Sequence, residues 1–526
     1  MNKKNIKTLK SASILGTSTL ASRILGLVRE QVRAIFLGTG IASDAFGVAF
    51  MIPNLLRKVV GEGAMSAAFI PVFTDFIKKR EEEDLWLFAQ RFFYFMTFAI
   101  TILVILFVIF APILINYVFA PGFSQVSGKA ELTILLTRIM FVYILFIGLA
   151  ALTQAMLNSF EKFFIPSLSP ILLNIAVISS VFIFKDLFSN IVFAFATGVV
   201  IGGVLQLSIQ IPSLKRLGMQ FKPTIQFKDP GIKKVLYLLA PSLFGATVYE
   251  INIITSQLIA SFLEPGSVSS LQFSSRILEL TLGIFVVSVS TVILPRLSRE
   301  AIALKYDEMK QTLDYALRLV LFVTIPATFG LIILRGPIVY TLFGYGIFNQ
   351  KSVDLTSFAL LFHAMGLVFI ASARIIVPAY YSMKDTRTPV KVSAIAMATN
   401  ILFCLVLAPF LGNGGIALAN SISIAITLIL LLYFLRSKLE SFSIYHTIKK
   451  LKLVAISTLL MSIAAIFMVQ AINIYDAHSI LARIAIMIIM VMVPLSVFIT
   501  SCYLLKSPEL MEFLDIVSKK LKKKAS

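Results

Sequence analysis

Four arginines, Arg23, Arg29, Arg33 and Arg57, sit in stretches whose other residues are mostly apolar, within the run from Ser22 to Pro71. An arginine at mid-bilayer costs about 2.5–3.5 kcal/mol on insertion scales, so three or four cost on the order of 10 kcal/mol. A chain that carries this cost uses the charges, and their natural use is to hold an anion within the membrane. Arginine suits phosphate in particular. Its planar fork makes two parallel hydrogen bonds, and it keeps its charge when water is removed.

The elements that must position these groups are helices. At about 100° per residue, Ser11, Ser18, Thr19, Ser22, Arg23, Gly26, Arg29, Glu30 and Arg33 fall within an arc of roughly 140° on the first helix. Lipid offers a polar stripe no partners, so it must face a wet cavity or other polar groups. On the second helix Asn54, Lys58, Gly61 and Met65 share a face, with Arg57 and Glu62 at its margins. Pro53 can kink this helix, and Gly61 and Gly63 permit bending, so the three are hinge candidates. The eighth segment repeats the pattern with Gln272, Arg276, Glu279, Gly283 and Ser290 within about 100° of arc. The competing reading is a set of internal ion pairs: Arg29 with Glu30 or Glu62, Lys58 with Glu62, Arg276 with Glu279. Arg33 is expected near an interface, where it can snorkel, and Arg138, Arg374 and Arg483 stand alone.

The rest of the chain is that of an all-α polytopic membrane protein. Of its 526 residues 58% are hydrophobic and 14% charged, against about 45–50% and 25% in soluble domains. Mean hydropathy is +0.93. Apolar stretches of spanning length fall near 11–37, 43–76, 88–118, 131–159, 165–184, 190–212, 233–262, 268–295, 314–334, 353–382, 389–410, 414–435, 452–473 and 480–505, about fourteen in all. The basic N-terminal residues, Lys3 to Lys10, resemble a signal peptide, but Gly16 to Thr19 make a poor apolar region and a retained first helix is expected. With alternate connections assigned to opposite sides, 34 of the 47 Lys and Arg fall on one side. Four (Lys129, Lys185, Arg335 and Lys351) fall on the other, and nine lie within spans. The rich side is cytoplasmic by the positive-inside rule, which puts both termini there. The net charge of +21 is then topological, and no nucleic-acid partner is expected.

A weak internal repeat accompanies this pattern. Phe36-Leu37-x-x-Gly40-x-x-Ser43 recurs 226 residues later as Phe262-Leu263-x-x-Gly266-x-x-Ser269. Asn174-Ile175 recurs at the same offset as Asn400-Ile401, and Phe69-Ile70-Pro71 matches Ile293-Leu294-Pro295 at 224. Two parallel six-helix lobes fit this spacing, residues 1–228 and 229–440. Residues 441–506 then form two added helices, and 507–526 a basic cytoplasmic tail.

Catalysis finds little support. No GxxxxGK loop is present, so no nucleotide-driven pump is encoded. Cys404 and Cys502 lie far apart, and His363, His446 and His478 are scattered, so neither a metal site nor a disulfide is expected. No catalytic residue and no cofactor is assigned.

Specific motifs carry a resemblance. Ser22-Arg23-Ile24-Leu25-Gly26-Leu27-Val28-Arg29, Asp44-Ala45-Phe46 with Ala49-Phe50, Pro53-Asn54-Leu55-Leu56-Arg57-Lys58 and Gly61-Glu62-Gly63-Ala64 come first. Ala120-Pro121-Gly122-Phe123, Leu294-Pro295-Arg296-Leu297-Ser298 and Asp385-Thr386-Arg387-Thr388-Pro389 follow. The chain resembles the MurJ (MviN) family, lipid II flippases of the MOP exporter superfamily, over nearly its whole length. Lys58 and Gly61 stand where that family often has Arg and Ala.

The resemblance implies two six-helix lobes around a central cavity, with two C-terminal helices forming a groove for a lipid tail. It implies a lipid II substrate, undecaprenyl-pyrophosphate-linked, moved outward across a bacterial cytoplasmic membrane for peptidoglycan synthesis. Partners would be lipid II, the phospholipid bilayer and cell-wall synthesis proteins. The family's essential cavity arginines fall on Arg23, Arg29, Arg57 and Arg276, and an important acidic residue on Asp44. Asn54, Lys58, Glu62, Gln272 and Glu279 would support the cavity. The alternatives are a flippase for another lipid-linked oligosaccharide and a multidrug exporter of the same superfamily. Membrane potential or a coupled monovalent cation would supply the energy, with Glu250, Asn252 and Asn400 as candidate cation ligands.

Overall fold

A computed structural model describes residues 3–57, 65–79, 81–224, 229–439, 444–477, 479–512, 514, 515 and 518. Of 3–15, 66, 67, 240–251, 284, 285, 287 and 444–446 it describes the backbone alone. Lys58, Gly61, Glu62, Gly63, His478 and most of the basic tail therefore lie outside the described residues, as do the side chains of Glu250 and His446.

All regular elements among the described residues are helices, as the composition requires. The first are α1 (Lys3–Leu37), α2 (Ile41–Leu56), α3 (Met65–Lys79), α4 (Glu82–Ile113), α5 (Lys129–Ser159) and α6 (Phe164–Phe184). Next come α7 (Val192–Ser208), α8 (Ile211–Arg216), α9 (Pro230–Ala260), α10 (Ser267–Ile302), α11 (Tyr306–Ile333) and α12 (Arg335–Phe343). The last are α13 (Gln350–Met365), α14 (Leu367–Ser382), α15 (Arg387–Lys438), α16 (Ile444–Lys450), α17 (Lys452–Ala471) and α18 (Ile480–Leu504). Eight helices are long and apolar enough to cross a membrane, and two bent pairs, one within α10 and one formed by α13 and α14, qualify when each is taken together.

Each of the fourteen apolar stretches coincides with a helix, a helix pair or part of a helix, with differences in detail. The second stretch comprises two helices, α2 and α3, separated by residues outside the description. The tenth is bent by 44° between α13 and α14. The eleventh and twelfth meet inside α15, where Gly412 takes φ 54° and ψ −132°. That left-handed φ suits glycine and folds α15 back on itself. A β-carbon at neighbouring Gly415 would overlap the Leu407 carbonyl.

Packing divides the chain into two compact units, Met1–Ser269 and Ser270–Ser526. The seventh spanning segment, α9, thus groups with the first unit, packing on α3, whereas the repeat spacing starts a second lobe at 229. In the first unit α5 is central and packs against α2, α3, α4 and α7. Its most apolar window is 61% buried, against 17% for α4, which leaves much of α4 for lipid. The α6–α7 pair is held at close range by Gly198 and Gly202, a GxxxG spacing of the kind that lets spanning helices touch. A β-carbon at Gly198 would overlap Ser180 and Val177, whereas the Ser180 hydroxyl now donates to the Ala194 carbonyl at 2.9 Å. Asp229 caps α9, accepting from the Gly231 N–H at 2.8 Å and pairing with Arg91 of α4 at 3.0 Å.

In the second unit α11 packs against α13, α14 and α17, and α17 pairs with α18. Asp314 of α11 holds the chain around this hairpin. It accepts from Thr447 at 2.6 Å and from Lys450 at 3.1 Å, while Arg318 reaches Glu509 beyond α18 at 3.6 Å. Cys404 and Cys502 are buried and form no disulfide. His363 is buried, its Nδ1 2.9 Å from the Ser274 hydroxyl, as a core histidine should be.

Candidate anion-binding site

The polar stripe on α1 divides among three surroundings. Its upper part meets α6: Ser167 donates to the Ser18 hydroxyl at 3.0 Å, and the Asn174 amide donates to the Ser22 carbonyl at 3.2 Å. This part is a polar helix–helix seam. Its far end meets α2: Arg33 is buried, donates to the Ser43 carbonyl at 2.8 Å and pairs with Glu30 at 3.3 Å. Arg33 therefore does not snorkel. The short turn between α1 and α2 folds the Ser43 carbonyl onto it.

Between these ends lie the groups with binding capacity. Arg29 pairs with Glu30 at 2.7 Å and lies 5.4 Å from the Phe50 ring, so two guanidiniums share one carboxylate. Arg23 is half-buried and has no hydrogen-bond or ionic partner among the described residues. On α2, the Asn54 amide oxygen accepts from Nε and Nη2 of Arg57 at 3.1 and 3.0 Å, which orients the fork. Pro53 lies buried inside α2. Arg23, Arg29 and Arg33 span about 15 Å along α1 at 1.5 Å per residue.

Asp44 does not line a cavity in this structure. It is fully buried and takes three bonds: Lys129 Nζ at 2.8 Å, the Gly266 N–H at 2.8 Å and the Ser269 N–H at 2.8 Å. Lys129 is buried too, 4.0 Å above the Phe123 ring. The loop cation expected from sequence is thus the counter-ion of Asp44, and together they fasten the start of α10 to α2 and α5. Gly266 and Ser269 are the second copy of the repeat motif, and in both copies that motif occupies a turn leading into a helix. The missed signal is the burial demanded of Asp44: a carboxylate within an apolar helix needs a cation somewhere.

In the second unit Arg276 pairs with Glu279 at 3.0 Å, but Glu279 is 61% exposed and the Arg276 Nε is buried with no partner. An exposed pair is worth about 0–1 kcal/mol, so it does not commit Arg276 against a stronger anion. Gln272 is half-buried and has a partner within the protein. Arg374 is exposed, and its carbonyl accepts from Ser290 of the α10 stripe at 3.0 Å. Arg138 donates to the Val108 carbonyl at 3.2 Å. Arg483 sits 4.2 Å from the Tyr340 ring and donates to the carbonyls of Ala477 and Gly344 at 2.9 and 2.8 Å, a structural anchor. Of the candidate cation ligands, Asn400 is buried and accepts from Cys404 at 3.7 Å, and Asn252 is half-buried and bonded. No group of three His, Cys, Asp or Glu suited to a metal occurs among the described residues.

The chain is similar to known proteins along most of its length. The family described as lipid II flippase MurJ matches residues 33–500. A probable lipid II flippase MurJ of Vibrio cholerae is 36% identical over 84% of this chain and 85% of its own length. The lipid II flippase MurJ of Burkholderia cenocepacia is 32% identical over 80% of this chain and 82% of its own. A solved structure of lipid II flippase MurJ in an inward closed conformation superposes with a TM-score of 0.76 at 30% identity, covering 93% of this chain and 99% of that one. An inward-facing MATE transporter of the MOP superfamily gives 0.68 at 14% identity, over 80% of this chain and 95% of that one, a likeness of fold alone. With stretches of spanning length from end to end and this match over most of its residues, the chain is a multi-pass membrane protein that belongs to the lipid II flippase MurJ family.

Proposed function

We propose that the protein is a lipid II flippase, carrying the undecaprenyl-pyrophosphate-linked precursor of peptidoglycan from the inner to the outer leaflet of a bacterial cytoplasmic membrane. The observation that carries this reading is similarity to lipid II flippases over most of the chain, at 36% identity to one of them. Arg23 adds local support, as a guanidinium inside an apolar stretch with no partner among the described residues.

In this reading Arg23, Arg29, Arg57 and Arg276 each bond pyrophosphate oxygens during an alternating-access cycle. The polyprenyl tail stays in lipid beside α17 and α18. Both termini face the cytoplasm, since 34 loop cations fall on that side. Pro53, Gly61 and Gly63 serve as hinges. Moving an anion out of a negative interior is electrically downhill by about 2.3 kcal/mol per charge per 100 mV, so the membrane potential drives net transfer. A coupled cation, with Glu250, Asn252 and Asn400 as candidate ligands, is the competing source. A drug exporter would present acidic and aromatic cavity residues in place of the arginines.

The test is depletion of the protein in its own cells. Lipid-linked wall precursor should accumulate on the inner leaflet and clear when the gene is restored. Unchanged precursor distribution, with the protein gone, sinks the assignment.

A further inference from the structure

A cavity with two basic residues in its lining lies at one end of the first unit, away from the arginines assigned to pyrophosphate. The turn between α5 and α6 and the short helix α8 enclose a cavity of about 410 Å³. Lys162 and Arg216 line it, and both are exposed with no ionic partner among the described residues. Ser213 adds a hydroxyl, and Phe164, Ile165 and Leu217 form an apolar wall. Phe164 is 53% exposed. Glu161 also lines the cavity, so its charge is two cations against one carboxylate.

The position is as informative as the lining. Ser159 ends α5, Phe164 begins α6, and α8 continues the span that starts at Val192, so the cavity lies where three spanning segments reach the membrane surface. The chain's one tryptophan is beside it. Trp86 stacks on Phe160 with ring centroids 5.6 Å apart, and its Nε1 would lie 2.7 Å from a β-carbon at Gly218.

We infer that this cavity binds the headgroup phosphate of an anionic phospholipid of the surrounding bilayer, with Lys162 and Arg216 on the phosphate and Phe164, Ile165 and Leu217 against the glycerol and upper acyl chains. A soluble anion would gain the cations but not the apolar wall. A zwitterionic lipid would gain the wall but carries no net charge for the cations.

The full-length protein in neutral detergent supplies the test. Phosphatidylglycerol or phosphatidylcholine is added in mixed micelles, Trp86 emission is followed, and retained lipid is counted by native mass spectrometry. Phosphatidylglycerol should shift the emission and stay bound in preference to phosphatidylcholine. Lys162→Gln with Arg216→Gln should weaken its retention about thirtyfold, the scale set by about 1 kcal/mol for each of two surface cations, with the thermal midpoint unchanged. Trp86→Phe should remove the signal and leave retention intact. Equal retention of the two lipids, or equal retention by the double variant, overturns the site. Full displacement of phosphatidylglycerol by millimolar inorganic phosphate also overturns it, since the ligand would then be a soluble anion.

Discussion

At the scale of single residues, charge within the apolar stretches occurs in two different settings. Arg23 is uncommitted and Arg276 is held only by an exposed pair, so both remain open to an incoming anion. Arg23→Ala, Arg57→Ala and Arg276→Ala should each abolish complementation of a depleted strain while leaving folded protein at normal levels in the membrane. Each loses a charge-assisted bond worth about 1.5–3 kcal/mol, and lysine should restore activity only in part because it lacks the fork. Full complementation by the alanine variants contradicts the assignment. Asp44 and Lys129 serve differently, as a buried pair 2.8 Å apart. Lys129→Met strands a buried carboxylate and should cost about 3–5 kcal/mol. Adding Asp44→Asn should recover part of that loss, as read from thermal midpoints of the single and double variants. Additive losses in that cycle contradict the pairing. Arg23, Arg29 and Arg57 were legible because each interrupts an apolar run on its own helix. Lys129 was not, because its partner is 85 positions away and periodicity reports only a residue's own helix.

At the scale of elements, short polar clasps close long helices on one another. Asp385, between α14 and α15, accepts from the Thr388 N–H and hydroxyl at 3.0 and 2.6 Å and pairs with Lys438 at 3.0 Å. One carboxylate thereby joins the two ends of the α15 hairpin. Burial alone would raise its pKa, but the Thr388 bonds and Lys438 outweigh burial and hold it down to about 2. A carboxyl with a lowered folded pKa contributes stability above its unfolded value of about 3.9, and that contribution fades as pH falls through the folded value. The thermal midpoint should therefore carry a component lost between pH about 4 and about 2, and Asp385→Asn should lack it and lie lower at neutral pH. Identical curves for the two proteins contradict the clasp. Hydropathy located the helices well, since length and apolar content are local properties. It missed the bend between α13 and α14 and the short helix α12. These depend on backbone geometry that apolar residues do not encode.

At the scale of the whole molecule, an internal repeat and a one-sided charge distribution were readable from sequence, and substrate identity was not. The repeat matched residues as far apart as Asn174 and Asn400, both of which lie buried in helices. Composition and arginine placement led as far as an anion held in a membrane. The pyrophosphate, the polyprenyl tail and the direction of travel came from resemblance, because a cationic face does not specify the rest of its ligand. The division by packing at Ser269 and the lobe boundary at 228 differ for a physical reason: α9 packs on α3, whereas the repeat counts chain positions. The central claim is that this chain alone moves lipid II between leaflets. It is tested by reconstituting the purified protein into vesicles that contain lipid II, imposing a membrane potential, and following accessibility of the headgroup to an impermeant reagent. Transfer should run well above that in protein-free vesicles, be lost with Arg23→Ala and slow when the potential is collapsed. Transfer no faster than in protein-free vesicles, with folded protein present and the potential imposed, would contradict it.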